Sequence, residues 1–225
     1  MTKDSREAKG GIAVTGTVGR RVYHDITGQY LEAAGYFLNC ATDIETKFQK
    51  TSLKDETGKS QHRAYVVGAI VLAAMAMETC INGIYLDACG KNLEGLDDQE
   101  IALLAEWWAF LDERHVGTLL KYQHALLLVG KPKLPPKKNP CQDAGNLIFL
   151  RNALTHYKPE RDDAKMHGRI RKRLEGKFVV NPLAPSAHLW FPEQCLGSDC
   201  AKWAVNAAEA FIRAFCEHLG VPRRI

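Results

Sequence analysis

The stretch from Ala64 to Met77, AYVVGAIVLAAMAM, constrains what this chain can fold into more than any other segment. A helix made of it is apolar almost all round, and such a helix is stable in water only when other elements cover several of its sides. It is shorter than the roughly 20 apolar residues that cross a bilayer, and Glu78 follows it directly. The segment therefore predicts a helix over about 60–88 at the centre of a bundle, and no membrane partner.

The flanking sequence supplies helices to surround it. Tyr30, Ala34, Phe37, Ala41, Ile44 and Phe48 recur at alternating steps of four and three, the apolar face of one amphipathic helix, and the polar stretch 51–60 ends it. Cys89-Gly90 offers a stop for the central helix, with glycine free to adopt a left-handed cap. Asp97-Asp98 open a third helix through IALLAEWWAFL, their charge suiting the positive end of the helix dipole. A shorter helix over about 116–128 ends at Gly130, and KPKLPPKKNP is a proline- and lysine-rich linker. Helices over about 142–157 and 163–175 follow. A last one starts at Ser198-Asp199, with either as N-cap, and runs to His218 before Gly220 and Pro222. FVV (178–180) and HLW (188–190) are apolar enough for a small β-hairpin around NPLAPSA. The fold class read here is all-α, with residues 1–22 as a loose arm and 23–225 as one domain carrying a short basic insertion.

Composition excludes little beyond disorder: hydrophobic residues make 46% of the chain, charged residues 25%, and the net charge is only +4. The N-terminal MTKDSREAKGG lacks the apolar core of a signal peptide, so a cytoplasmic location is expected. In that setting the cysteines at 40, 80, 89, 141, 195, 200 and 216 read mostly as small buried hydrophobes. The glycines at 10, 11, 16 and 19 make no phosphate loop, because no Gly-Lys-Ser/Thr follows. Cys195 and Cys200, with His188 upstream, fall short of the four closely spaced ligands of structural zinc, and no metal or cofactor is expected. Cys80, within the apolar helix, should stay a neutral thiol rather than act as a nucleophile.

The chemically informative string is LRNALTHYKPE, residues 150–160. Leu147, Leu150, Leu154 and Tyr157 form the core-facing stripe of its helix, which Pro159 closes. At about 100° per residue, Asn152 and His156 share a face nearly opposite Leu147, while Arg151 lies beside the stripe and has to reach round to join them. The helix C-terminus favours the imidazolium form of His156. An imidazole that moves a proton and a guanidinium that clamps an anion suit a phosphodiester. Glu78, interrupting the apolar helix, needs a partner, and Arg151 is the one expected; Asn82 lies one turn further on the same face. Such a pair serves either the site or the register of two helices.

Arg151-Asn152-Ala-Leu-Thr-His156 resembles the RNxxxH form of the Arg-x(4–6)-His motif of HEPN domains. The resemblance implies a HEPN-like helical bundle and a metal-independent endoribonuclease that works as a homodimer, its motifs facing each other across the interface. It assigns catalysis to Arg151, Asn152 and His156, with Asn152 orienting the site. It further implies a place in toxin–antitoxin or anti-phage defence systems, with an antitoxin or other co-encoded protein as a partner. The alternative is a non-catalytic module of the same fold that binds a protein or a nucleotide. The basic segment that follows offers Lys158, Arg169, Arg171, Lys172 and Arg173 as RNA phosphate ligands, although a solvated charged face would look the same.

Overall fold

The computed structural model describes residues 25–51, 56–157, 165–185 and 189–225, and every regular element among them is helical. In chain order these are α1 (Thr27–Thr51), α2 (Glu56–Cys89), α3 (Asp98–Glu113), α4 (Thr118–Leu128), α5 (Cys141–Thr155), α6 (Lys165–Leu174) and α7 (Ser198–Leu219), with one wide helical turn at Trp190–Gln194 before α7. The arm over 1–22 lies outside the described residues.

As its apolar circumference requires, α2 is the hub. It packs along α1 and against α3, α4, α5 and α7, burying Val66, Ile70, Met77, Ile81 and Ile84 completely. By length and composition alone α2 could also cross a membrane, but half of its most apolar window is buried within the bundle. Two hydroxyls tie it to α4: Tyr122 donates to the Met77 carbonyl at 2.6 Å, and Tyr85 donates to the Lys121 carbonyl at 3.1 Å. Lys121, itself buried, donates to Asn82 Oδ1 at 2.9 Å and lies over the Trp108 ring.

Caps set the boundaries. Asp97 accepts from the Glu100 amide while Glu100 accepts from the Asp97 amide, a reciprocal box that starts α3. The C-terminus of α2 departs from the expectation at Cys89-Gly90. Lys91, at φ 55°, takes the left-handed position, and the amides of Lys91 and Asn92 close back onto Ala88 and Asp87. A Cβ at Gly90 would sit 2.8 Å from the side-chain nitrogen of Asn92, an exposed side chain with room to swing aside. Gly220 ends α7 in the left-handed form, as its sequence position suggests. The α7 start also differs: Gly197 is its N-cap, and Ser198 turns inward to Glu45 instead of capping.

Among the described residues of 178–190, no strand of the expected hairpin forms. Residues 178–181 run without a partner strand, and Trp190–Gln194 coils into the wide turn around an extended Phe191. Asn181 replaces the ladder, donating its amide and side-chain nitrogen to the carbonyls of Gln194 and Glu193. His188 lies outside the described residues.

The linker after α4 is docked as well as charged. Lys131 Nζ donates to the terminal carbonyl of α7, that of Leu219, at 2.6 Å, and the His218 ring meets the Pro132 carbonyl at 2.8 Å. Near the C-terminus Arg224 pairs with both Asp25 and Asp87, fixing the tail across the start of α1 and the end of α2.

Candidate functional site

Helix α5 lies between α2 and α7 with Leu147 and Leu150 fully buried, the stripe its spacing predicts. The helix ends at Thr155, and His156 is its C-cap (φ −113°, ψ 32°), its amide donating to the Asn152 carbonyl. Tyr157 therefore leaves the helical phase. It is 45% exposed rather than part of the core stripe, and its ring faces Phe191 at 6.3 Å.

Asn152 and His156 are exposed and line one cleft of about 410 Å³ with Phe149, Tyr157, His167 and Phe191. Their shared face is the one the helical period gives. Arg151 is not among the residues lining this cleft. It turns the other way, toward α2, where its Nη2 donates to Glu78 Oε2 at 3.3 Å. The expected pairing of Glu78 with Arg151 is thus present, but at the rim: the Glu78 side chain is 45% exposed and that of Arg151 22%. A pair so wetted is worth about 0–1 kcal/mol to stability. The Arg151 Nε is shut off from solvent with no partner among the described residues, so its planar fork is only half used. Asn82, one turn beyond Glu78, does not join the motif; Lys121 of α4 holds it.

The basic residues expected to grip phosphate divide into three groups. Lys158 lies outside the described residues. Arg171 is taken up by Glu175, with Nε and Nη2 donating to Oε1 at 3.0 and 2.7 Å. Arg169 and Arg173 lie against the Phe149 ring, 5.6 and 4.1 Å from its centroid, and with Lys172 line a shallow groove between α5 and α6. Ile170 and Leu174 are the buried anchors of α6, so its basic face points outward.

Two clusters are not legible in the spacing. His167 is 8% exposed, lies edge-on to Phe191 with centroids 5.7 Å apart, and has no partner for Nδ1 among the described residues. Glu45 is buried where α1, α2 and α7 meet: His62 Nε2 is 2.6 Å from Oε1, and the Ser198 amide and hydroxyl donate to Oε1 and Oε2 at 2.7 and 2.5 Å. Burial alone would raise this carboxyl's pKa, but the hydrogen bonds from His62 and Ser198 outweigh it and hold the carboxyl below its usual range. The glutamate stands between the histidine and the serine, so the imidazole does not meet the hydroxyl and the three do not form a nucleophile–base pair.

The cysteines behave as interior groups. Hydrogen bonding to Cys216 and burial push the Cys80 thiol up, keeping it neutral. Five of the seven are buried. Among the described residues no three His, Cys, Asp or Glu side chains are grouped to hold a metal ion. Comparison with family models, with curated proteins and with solved structures finds no match for the chain.

Proposed function

We propose that this protein is a dimeric, metal-independent endoribonuclease with a HEPN-like bundle, acting in the cytoplasm on RNA. The observation that carries the reading is the Arg-Asn-Ala-Leu-Thr-His string ending α5, with His156 exposed at the C-cap and Asn152 beside it in an open cleft. Its neighbour, the outward basic face of α6, supports a polyanionic substrate.

In this reaction the RNA 2′-hydroxyl gives its proton to one imidazole as its oxygen bonds to phosphorus. The bond from phosphorus to the 5′-oxygen then breaks, and a second imidazolium protonates the leaving oxygen. Two chains related by a two-fold axis supply the two His156 side chains and two Arg151 guanidiniums. Arg151 clamps the phosphate, Asn152 orients the site, and Glu78 holds Arg151 at the rim of α2 until substrate binds. Turning Arg151 from Glu78 toward a bound phosphate costs little, because that ion pair is long and half-exposed. A co-encoded antitoxin or other partner fits a ribonuclease that must be restrained in its own cell.

The test is an RNA and its counterpart with a single 2′-deoxyribose at the cleaved position, incubated in excess EDTA. The RNA is cut to a 2′,3′-cyclic phosphate and a 5′-hydroxyl, and the deoxy counterpart stays intact at that bond. Cleavage of both, or a requirement for added metal, contradicts the mechanism. The second reading, a binding module without catalysis, is favoured by the one feature that sets Arg151 apart from the cleft, its pairing with Glu78.

A further inference from the structure

The geometry points to a base-binding pocket: we propose that the cleft between the end of α5, the start of α6 and Phe191 holds one unstacked nucleobase of a single-stranded RNA. The proposal deepens the ribonuclease reading and rests on it, since the base would belong to a nucleotide beside the phosphate His156 serves.

The cleft encloses about 410 Å³, within the range of small-molecule sites and ample for a purine with its ribose. Its lining is of two kinds. Phe149, Tyr157 and Phe191, with Ala153 and Met166, supply apolar and largely aromatic surface, while Asn152, His156 and His167 supply hydrogen-bonding edges. A flat ring with a polar rim matches both at once, and single-stranded RNA is read in this way, by stacking on aromatic side chains and hydrogen bonds to base edges. A purely aliphatic ligand would leave a carboxamide and two imidazoles unpaired. A lone phosphate is no better matched, because among the described residues no lysine or arginine lines this cleft.

His167 is the second, independent observation. It is more than nine-tenths buried on the cleft wall, and its Nδ1 finds no partner among the described residues. A buried ring nitrogen left unpaired costs the protein the desolvation of that group. The nitrogen has no exposed surface of its own, so a base edge would remove that cost once the ring turns toward the cleft.

The position of the cations fits the same occupant. Arg169 and Arg173 lie against the Phe149 ring, and with Lys172 they line the neighbouring groove. Phe149 thus borders both a pocket for a base and a groove with charge for the backbone, the combination of stacking platform and basic track that single strands require.

The test uses the full chain and two end-labelled 2′-O-methyl oligoribonucleotides, which cannot be cleaved. One carries bases and the other is abasic throughout, with the same number of phosphates. Fluorescence anisotropy should show the base-bearing strand bound about tenfold or more tightly than the abasic one. Ala153→Phe, which projects a ring into the cleft and spares the motif, should abolish that difference. His167→Leu keeps the volume and should reduce it several-fold, and loss of the difference in either variant that retains the wild-type circular dichroism supports the pocket. Equal binding of the two strands by wild type, or an unchanged difference in both folded variants, overturns it. Base discrimination without RNA cleavage would retain the pocket and remove the ribonuclease, whereas cleavage without discrimination would do the reverse.

Discussion

Glu45 occupies a core position of α1, and its carboxylate accepts from Ser198 twice while the His62 ring closes on it from α2. Because its folded pKa is depressed, the stability it contributes is fully present above the ordinary carboxylate range and is lost as pH falls through the folded value. Chemical denaturation at a series of pH values should therefore show Glu45→Gln less stable than wild type at neutrality, with a shallower decline below about pH 4.5, the ordinary carboxylate region. Glu78 behaves differently. Its pair with Arg151 is half-exposed, so Glu78→Gln should change the unfolding free energy by less than about 1 kcal/mol. RNA cleavage by the same variant should change several-fold, since Arg151 is released from the group that holds it off the cleft; a stability loss with unchanged rate would make the pair purely structural. Glu78 could be read from the sequence because it is a lone charge in an apolar helix. Glu45 could not, because it sits on a helix with polar neighbours and its partners are 17 and 153 residues away.

At the scale of elements, Tyr30, Ala34, Phe37 and Ala41 of the six apolar side chains expected along α1 lie in or against the core, and the buried line runs through Leu31, Ala34 and Ala41 to Glu45. Periodicity finds the face and leaves its centre to packing, here the fit of Phe37 over Gly68 of α2. Helix α2 itself was legible because no arrangement other than burial suits its composition. Met77 is fully buried beneath the Tyr122 hydroxyl, so Met77→Ala should cost about 2–5 kcal/mol, read as a drop in the urea midpoint at unchanged slope. A loss under about 1 kcal/mol would mean that α2 is not the centre of the core. The hairpin over 178–190 failed as an expectation for a local reason. Apolar triplets suggest strands, but the chain pairs beyond them instead, Asn181 donating to the carbonyls of Gln194 and Glu193.

For the whole molecule, the sequence made the all-helical bundle legible, placed Asn152 and His156 on one face and set Arg151 apart from them, within reach of Glu78. That separation follows from the 100° between adjacent helical residues and from Glu78 waiting on the far side. A single chain thus presents one imidazole of the motif in the cleft and holds its guanidinium at another edge, and the proposed composite site calls on a second copy to complete the acid, the base and the clamps. Wild type and His156→Ala, each verified as folded by circular dichroism, should be incubated with tRNA and mRNA in excess EDTA and their products resolved by gel. His156 is exposed at a helix end, so its loss should leave the fold intact while cleavage falls by at least about a hundredfold, the scale of general acid–base catalysis. Undiminished cleavage by His156→Ala, or intact RNA after incubation with folded wild type, would contradict the account.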